Sequence, residues 1–320
     1  NNRKKIKDWF FKYKKITRVF ASVILALFLF FMIKDLTFFA KQEKQPLNVI
    51  LLASDALRLD HFSAYGYHRK TTPFIDQLTQ SGTSFANIYT TVPRTFPSWV
   101  SILTSRLPMD HGIRHMFPST KTRNQNFKTL ATFLKEKGYQ TALFGDFAAD
   151  IFPRIELGFD KVSAPDFNFP ILIKQMLLKI HPVLLSFLLN STGMQVFPYI
   201  KEFSNFADPK IVSKKILKEI KNCARNKKPF FITSFFSVTH FPFSAPYPFY
   251  KKFSDPKYYG PYKYFKNIVL NQMQKITAKD EQQVRDLYDG GLYAFDLAVE
   301  EIVEALKDQG LLENTLVVIL

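Results

Sequence analysis

The chain has 320 residues, 47% of them hydrophobic and 35 of them Phe, enough apolar material for one large α/β domain and too much for a disordered chain. The single Cys223 excludes an intrachain disulfide framework. The formal charge is +17, of which residues 1–46 supply +8 through eleven Lys/Arg against three acids, and the remainder supplies +9. That balance suits an anionic lipid surface or a phosphorylated substrate; with no nucleic-acid-binding motif in the sequence, nucleic acid is not expected as a partner.

In chain order, the first element is an apolar run, Val19 to Ile33, continued in character by Leu36 to Ala40 and preceded by Arg3, Lys4, Lys5, Lys7, Lys12, Lys14, Lys15 and Arg18. The run predicts a transmembrane anchor over 19–40, with Lys34 snorkelling, and the basic flank places residues 1–18 in the cytoplasm. A cleaved signal peptide is the rival, but no small-x-small cleavage site follows Ile33. The expected organisation is therefore a cytoplasmic basic segment (1–18), the anchor (19–40), a polar linker (41–46) and an extracytoplasmic domain (47–320), in a single-pass protein of the cell membrane.

Asn48 to Ala53 is a continuous apolar run ending in Ser54-Asp55, the pattern of a buried parallel strand with a polar carboxyl end. Pro73 opens a helix through Leu78, stopped by Gly82. Thr83 to Tyr89 alternates and predicts a strand. Thr95 is expected to N-cap a helix that has Pro97 in its first turn. Lys128 to Lys137 is an amphipathic helix ended by Gly138, followed by a strand over Tyr139 to Phe144. Lys210 to Cys223 is a second amphipathic helix, and Phe230 to Ser237 a strand. Thr277 and Asp280 form a capping box for a helix with Val284, Leu287, Leu292, Phe295, Val299, Ile302, Val303 and Leu306 on one face. Gly310 ends it, and Thr315 to Leu320 is an apolar strand. Alternating strands and helices predict an α/β fold with a mixed, mostly parallel sheet flanked by helices, in which ligands gather at the carboxyl ends of strands.

Several residues at those ends carry chemistry. Asp55 follows an apolar run, so it is a turn acid or a paired or metal-bound carboxylate. Thr95 is either a plain helix cap or a hydroxyl nucleophile, needing a cation or base to lower its pKa, at a helix end that attracts an anionic ester. A divalent cation held by Asp55 and Thr95 would do that and polarise the ester as well. His240, just past the strand at 230–237, is a packed loop histidine or a group that binds the ester or protonates the leaving group. His111 and His115 follow the Thr95 helix, and Arg58 and Arg106 are surface cations or clamps for an anionic ester. His61 and His68, flanking Tyr65-Gly66-Tyr67, are read as structural.

Taken together, Asn48 to Pro73, Thr95-Phe96-Pro97-Ser98 through Thr104-Ser105-Arg106, Phe230 to Tyr250 with His240-Phe241-Pro242-Phe243, and Tyr288-Asp289 through Val318 resemble, in order, four segments of the sulfatase-like branch of the alkaline phosphatase superfamily. They are similar to its opening strand and metal loop, its nucleophile motif, its His-x-Pro-Tyr segment, and its penultimate helix and strand. The resemblance spans roughly 47–160 and 228–320 and implies an alkaline-phosphatase-like fold. It also implies a divalent metal (Zn, Mn, Ca or Mg) at Asp55 and Thr95, completed by an Asp-His pair just past Leu320, with His240, His111 and Arg106 serving catalysis. Two departures matter. Thr95 stands where true sulfatases have a Cys or Ser that becomes formylglycine, and Asp146-Phe147-Ala148 stands where they carry a sulfate-gripping Lys-Trp-His. A threonine nucleophile is instead similar to membrane-anchored phosphoethanolamine and phosphoglycerol transferases.

Residues from about 165 to 208 fit no family block. They are read as a helical insertion whose apolar and basic stretch from Phe167 to Leu189 either packs as core or lies on the membrane beside a lipid-linked anionic substrate. The expected activity is metal-dependent cleavage or transfer of a phosphoester. Its rivals are a sulfuric ester hydrolase without formylglycine and an inactive membrane-bound scaffold.

Overall fold

The structure, a computed structural model, describes residues 13, 22–32, 34, 46–165, 182–198, 208–265 and 276–320. By internal contacts the chain divides into two units, Asn1–Pro46 and Leu47–Leu320. Residues 22–32 are helical. Among the described residues no helix is long and apolar enough to cross a membrane; residues 19–21, 33 and 35–40 of the anchor expected over 19–40 lie outside them.

The second unit is built on five strands: β1 (Asn48–Ser54), β2 (Gln140–Gly145), β3 (Lys161–Ser163), β4 (Phe230–Phe236) and β5 (Thr315–Ile319). They lie in the order β3-β2-β4-β1-β5, and every pairing is parallel. The sheet is thus wholly parallel among the described residues, where a mixed one was expected. β1 registers Val49 on Phe231 and Ser54 on Phe236, so the polar ends of β1 and β4 emerge side by side.

The helices are α1 (Pro73–Ser81), α2 (Thr95–Thr104), α3 (Leu130–Glu136), α4 (Pro209–Asn226) and α5 (Ala278–Asp308), with shorter turns between them. Successive residues of a strand point to opposite faces, and here each face meets helices. Ile50 and Leu52 of β1, with Phe230, Ile232 and Phe236 of β4, pack against Val212, Ile216 and Ile220 of α4 and Leu292, Phe295, Val299 and Ile302 of α5. Leu51 and Ala53, with Phe231 and Phe235, pack against Phe96, Trp99, Val100 and Leu103 of α2. A strand buried on both faces must be apolar throughout, which is why β1 and β4 read as continuous runs. Each such Leu, Ile or Phe contributes about 1.5–3 kcal/mol on burial.

The helix ends follow their capping residues. Thr277 and Asp280 form the expected capping box on α5, Thr129 and Thr132 form one on α3, and Pro73 opens α1. Two local expectations fail. Residues 83–89 form no strand; Phe85, Ile88 and Tyr89 are exposed in a loop, because alternation supplies no partner for the backbone hydrogen bonds. Thr95 is not the N-cap of α2. Arg94 holds that position and makes no side-chain cap, which leaves the Thr95 hydroxyl available for other contacts.

α5 carries three acids on the side that faces the loop between β1 and α1. Asp296 accepts from the backbone N–H of Phe74 (3.0 Å) and Ile75 (2.8 Å), tying down the first turn of α1. Asp289 accepts from His61 Nδ1 (2.6 Å), Tyr67 (2.8 Å) and Arg69 (2.8 Å), and Arg69 also reaches Asp286 (2.6 Å). This network holds the loop that leaves Asp55, and His61 is structural, as expected. On the same helix Gly290 and Gly291 admit backbone contact: a Cβ would stand 2.5 Å from Phe249 O at Gly290 and 2.6 Å from Val238 O at Gly291.

Of the expected insertion, Pro182–Leu188 and Ser191–Val196 are helical. Leu185, Leu188, Leu189 and Met194 pack with Tyr250, Tyr264, Phe265 and Leu287, while Phe187 is exposed. Residues 166–181, most of the stretch read as membrane-associating, lie outside the described residues.

Candidate active site

Three side chains converge at the carboxyl end of the sheet. Asp55 leaves β1, Thr95 opens α2, and His240 follows β4. The Thr95 hydroxyl donates to Asp55 Oδ2 at 3.3 Å, and His240 Nε2 lies 3.7 Å from the same oxygen. Asp55 is held from both sides of its peptide. Its N–H donates to Phe236 O (2.8 Å), and its carbonyl accepts from the Thr239 hydroxyl (2.6 Å), which also meets Ser54 Oγ at 2.6 Å. The ends of β1 and β4 are thereby bolted together. Ala56 adopts φ 57°, a left-handed conformation costing a non-glycine residue roughly 1–2 kcal/mol. That turn redirects the chain just past Asp55 while the N–H of Ala56 bonds back to the Asp55 carboxylate.

The Asp55 side chain is 18% exposed and that of His240 is 45% exposed, so the carboxylate forms the floor of the site and the imidazole its open side. Burial pushes the Asp55 carboxyl above the ordinary carboxylate range. His240, Thr95 and the Ala56 N–H pull the other way. His240 Nδ1 is hydrogen-bonded to Phe241 O. A carbonyl only accepts, so Nδ1 carries a proton, and in the neutral tautomer Nε2 is the bare nitrogen, turned toward Asp55. That arrangement suits a metal ligand or a proton acceptor.

A fourth residue belongs to this rim and was not singled out from sequence as a site residue. Asp146 leaves β2, on the other side of β4. Its Oδ2 accepts from the Ser237 N–H at 3.1 Å, while its Oδ1 is shielded from solvent without a partner, as is Ser237 Oγ. Burial raises its carboxyl to about 6, opposed by the Ser237 N–H and reinforced by the charge of Asp55. An acid directly after a buried strand is the sequence signal that marks it.

The other expected residues lie elsewhere. His111 is buried, with Nε2 on Ser101 Oγ (3.0 Å) and Nδ1 accepting the Ile113 N–H (3.1 Å). Ser101 is six residues along α2 from Thr95, about 9 Å at the helical rise. Burial holds the His111 imidazole below its usual range. Arg106 is exposed beyond the far end of α2, and Arg58 is exposed and paired with Asp60 at 2.5 Å. His115 is exposed, with Nδ1 accepting the Phe117 N–H. The structure therefore brings Asp55, Thr95 and His240 together and does not bring His111 or Arg106 to them.

For a divalent cation, the carboxylate, hydroxyl and bare imidazole nitrogen are donors of the right kind. Among the described residues no group of three or more His, Cys, Asp or Glu side chains surrounds one point, so a cation at Asp55 and Thr95 would need further donors.

The parallel sheet flanked by helices is an α/β fold, and likeness to known structures makes it alkaline-phosphatase-like. The Sulfatase family profile matches residues 47–320, and the chain belongs to the sulfatase family. Arylsulfatase A of Bos taurus is 32% identical over 111 residues, covering 34% of this chain and 22% of that protein, so the chain spans about a fifth of that relative's length. Among solved structures, the phosphonate monoester hydrolase of Agrobacterium radiobacter superimposes with a TM-score of 0.61 at 19% identity, covering 85% of this chain and 62% of the other. The C-terminal periplasmic domain of EcEptC from Escherichia coli, in complex with Zn, gives 0.53 at 16% identity, covering 87% and 64%. At these identities the two structures speak for the fold.

Proposed function

We propose that this protein is a membrane-anchored, metal-dependent enzyme that cleaves or transfers a phosphoester outside the cytoplasm, with Thr95 as nucleophile. The observation that supports this most is the hydrogen bond from the Thr95 hydroxyl to Asp55, at the first turn of a helix and beside a histidine with a bare Nε2. Thr95 Oγ attacks phosphorus and forms the new P–O bond. Its proton passes to the Asp55 Oδ2 and His240 Nε2 pair, and the imidazolium then protonates the departing ester oxygen, which leaves with the electrons of the broken bond. Water or an acceptor hydroxyl releases the phosphoryl group by the reverse path. The α2 N-terminus favours the anionic group undergoing transfer. A divalent cation held by Asp55 and Thr95, with further groups, would supply Lewis acidity and lower the hydroxyl pKa.

Thr95 speaks against sulfate-ester chemistry of the formylglycine kind, because a β-methyl carbinol cannot become an aldehyde. Asp146-Phe147-Ala148 also leaves out the cationic pair that would grip a sulfate. The net charge of +9 over residues 47–320 suits an anionic substrate, lipid-linked or otherwise. The test is a panel of phosphomonoester, phosphodiester and sulfate ester substrates on the full-length protein with metal analysis. Phosphodiester turnover is expected. Efficient aryl sulfate hydrolysis with no phosphodiesterase or transferase activity would move the assignment to a sulfatase.

A further inference from the structure

A cleft of about 770 Å³ opens between the 123–127 segment, the 152–159 segment and the edge strand β3, and a smaller cavity of about 300 Å³ shares Arg123 and Arg154 with it. Neither is lined by Asp55, Thr95 or His240. The two arginines differ in how their charge is met. Arg154 is fully engaged: Nε donates to Asp150 O (3.1 Å), Nη2 to Asp150 Oδ1 (3.4 Å) and Nη1 to Met116 O (3.4 Å). Its guanidinium also stacks 5.4 Å from the ring centroids of Phe96 and Phe117. Since Phe96 follows Thr95, this wedge joins the cleft to the first turn of α2.

Arg123 has no carboxylate partner among the described residues. Its Nη1 and Nη2 donate to neutral oxygens, Arg154 O (3.2 Å) and Thr120 Oγ1 (3.3 Å), and its Nε is shielded from solvent with no acceptor. A shielded guanidinium donor left unpaired is destabilising unless something supplies the acceptor. The one acid lining the cleft, Glu156, turns back to accept the Gly158 N–H at 2.9 Å. Three consecutive exposed amides, Asn124, Gln125 and Asn126, extend the same wall and add neutral donors.

We propose that this cleft is an anion-binding site centred on Arg123, taking a second phosphate or sulfate group of an extended substrate whose scissile ester lies at Thr95. A planar guanidinium in the cleft wall with no carboxylate to neutralise it matches an oxyanion, and the amides beside it bond polar groups flanking that anion. The link to Thr95 rests on the function proposed above, whereas the binding of an oxyanion does not.

The experiment uses the full-length Thr95→Ala protein, so that binding is read without depending on turnover. Calorimetry is run with a dextran sulfate oligomer, with uncharged dextran of the same length, and with inorganic phosphate and inorganic sulfate, alongside hydrogen-exchange footprinting. The expected result is binding of dextran sulfate with protection over 120–127 and 153–159, none for uncharged dextran, and only weak binding of the inorganic ions. Adding Arg123→Gln should weaken dextran sulfate at least tenfold. Tight binding of an inorganic ion over the same footprint, with no gain from the polymer, would show a free-ion site and overturn the substrate assignment. Equal affinity with and without Arg123→Gln, or a footprint elsewhere, would overturn the site itself. Should Arg123→Gln fail to fold, Asn124→Ala with Asn126→Ala gives the same reading. Turnover of a small phosphodiester by the Thr95-containing protein separately reports the nucleophile assignment.

Discussion

Gly291→Ala tests how the helix behind the site positions His240. The new Cβ would stand 2.6 Å from Val238 O, a backbone atom two residues before His240, and also 3.4 Å from the Val238 carbonyl carbon. Contact at 2.6 Å is not tolerated, so either α5 or the 238–240 turn must give way by several tenths of an ångström. Overpacking of this kind costs typically about 1–3 kcal/mol, against a gain of about 0.5–1 kcal/mol from replacing a helical Gly with Ala. The net cost is roughly 0–2.5 kcal/mol, a fall in Tm of up to about 10 °C at about 2–4 °C per kcal/mol. The functional effect should be larger. His240 N donates to Ser237 O across the turn that Val238 occupies, and a displacement near 1 Å at a catalytic group costs on the order of a hundredfold in rate. The assay pairs thermal unfolding by circular dichroism with phosphodiester turnover on the full-length protein, using exposed Glu300→Ala on the same helix as control. A stable Gly291→Ala protein with wild-type turnover would refute the idea that α5 sets the His240 loop.

Further predictions concern the site and its support. Asp55→Ala in the full-length protein should lose bound metal and activity together; unchanged metal content by elemental analysis would remove Asp55 from the metal site. His240→Gln keeps size and polarity but cannot shuttle a proton, so turnover should fall about 10²–10⁴-fold; rescue by added imidazole would support the proton role, and undiminished turnover would contradict it. Asp296 is buried and its carboxyl is raised to about 6 from 3.8, chiefly by burial and against the N–H donors of Ile75 and Phe74. The folded state thus keeps this proton to higher pH than the unfolded chain, binds more protons between those two values, and loses stability as pH rises through about 4 to 6. The difference in unfolding free energy between wild type and Asp296→Asn should vary across that window and flatten above it; a pH-independent difference would show that Asp296 titrates normally.

The fold was legible because it rests on continuous runs and end signals. β1 and β4 are buried on both faces, so their apolar residues announced them, and Thr277 with Asp280 announced the start of α5. What the pattern could not carry was pairing. Thr83 to Tyr89 alternates as a strand does, yet no neighbouring edge accepts it, and alternation does not encode a partner. The short β3 gave no pattern at all: three residues, two of them exposed. In the site, Asp55, Thr95 and His240 were readable because each stands immediately beyond or at the opening of a regular element. His111 and Arg106 stand at the other end of α2, and proximity in sequence to a nucleophile says little once a ten-residue helix intervenes. Asp286, Asp289 and Asp296 were missed because acids on a long helix look like a solvated face. Only the packing of the 56–76 loop shows that they are buried and bonded.

The central claim is that the Thr95 hydroxyl becomes covalently bonded to phosphorus. The most direct measurement is acid quenching of the full-length protein during turnover of a phosphodiester, followed by mass spectrometry of the peptide containing Thr95. A phosphoryl adduct on Thr95, absent from Thr95→Ala and from protein quenched without substrate, is the predicted result. Sustained turnover in Thr95→Ala, with no adduct on the wild-type peptide, would contradict it.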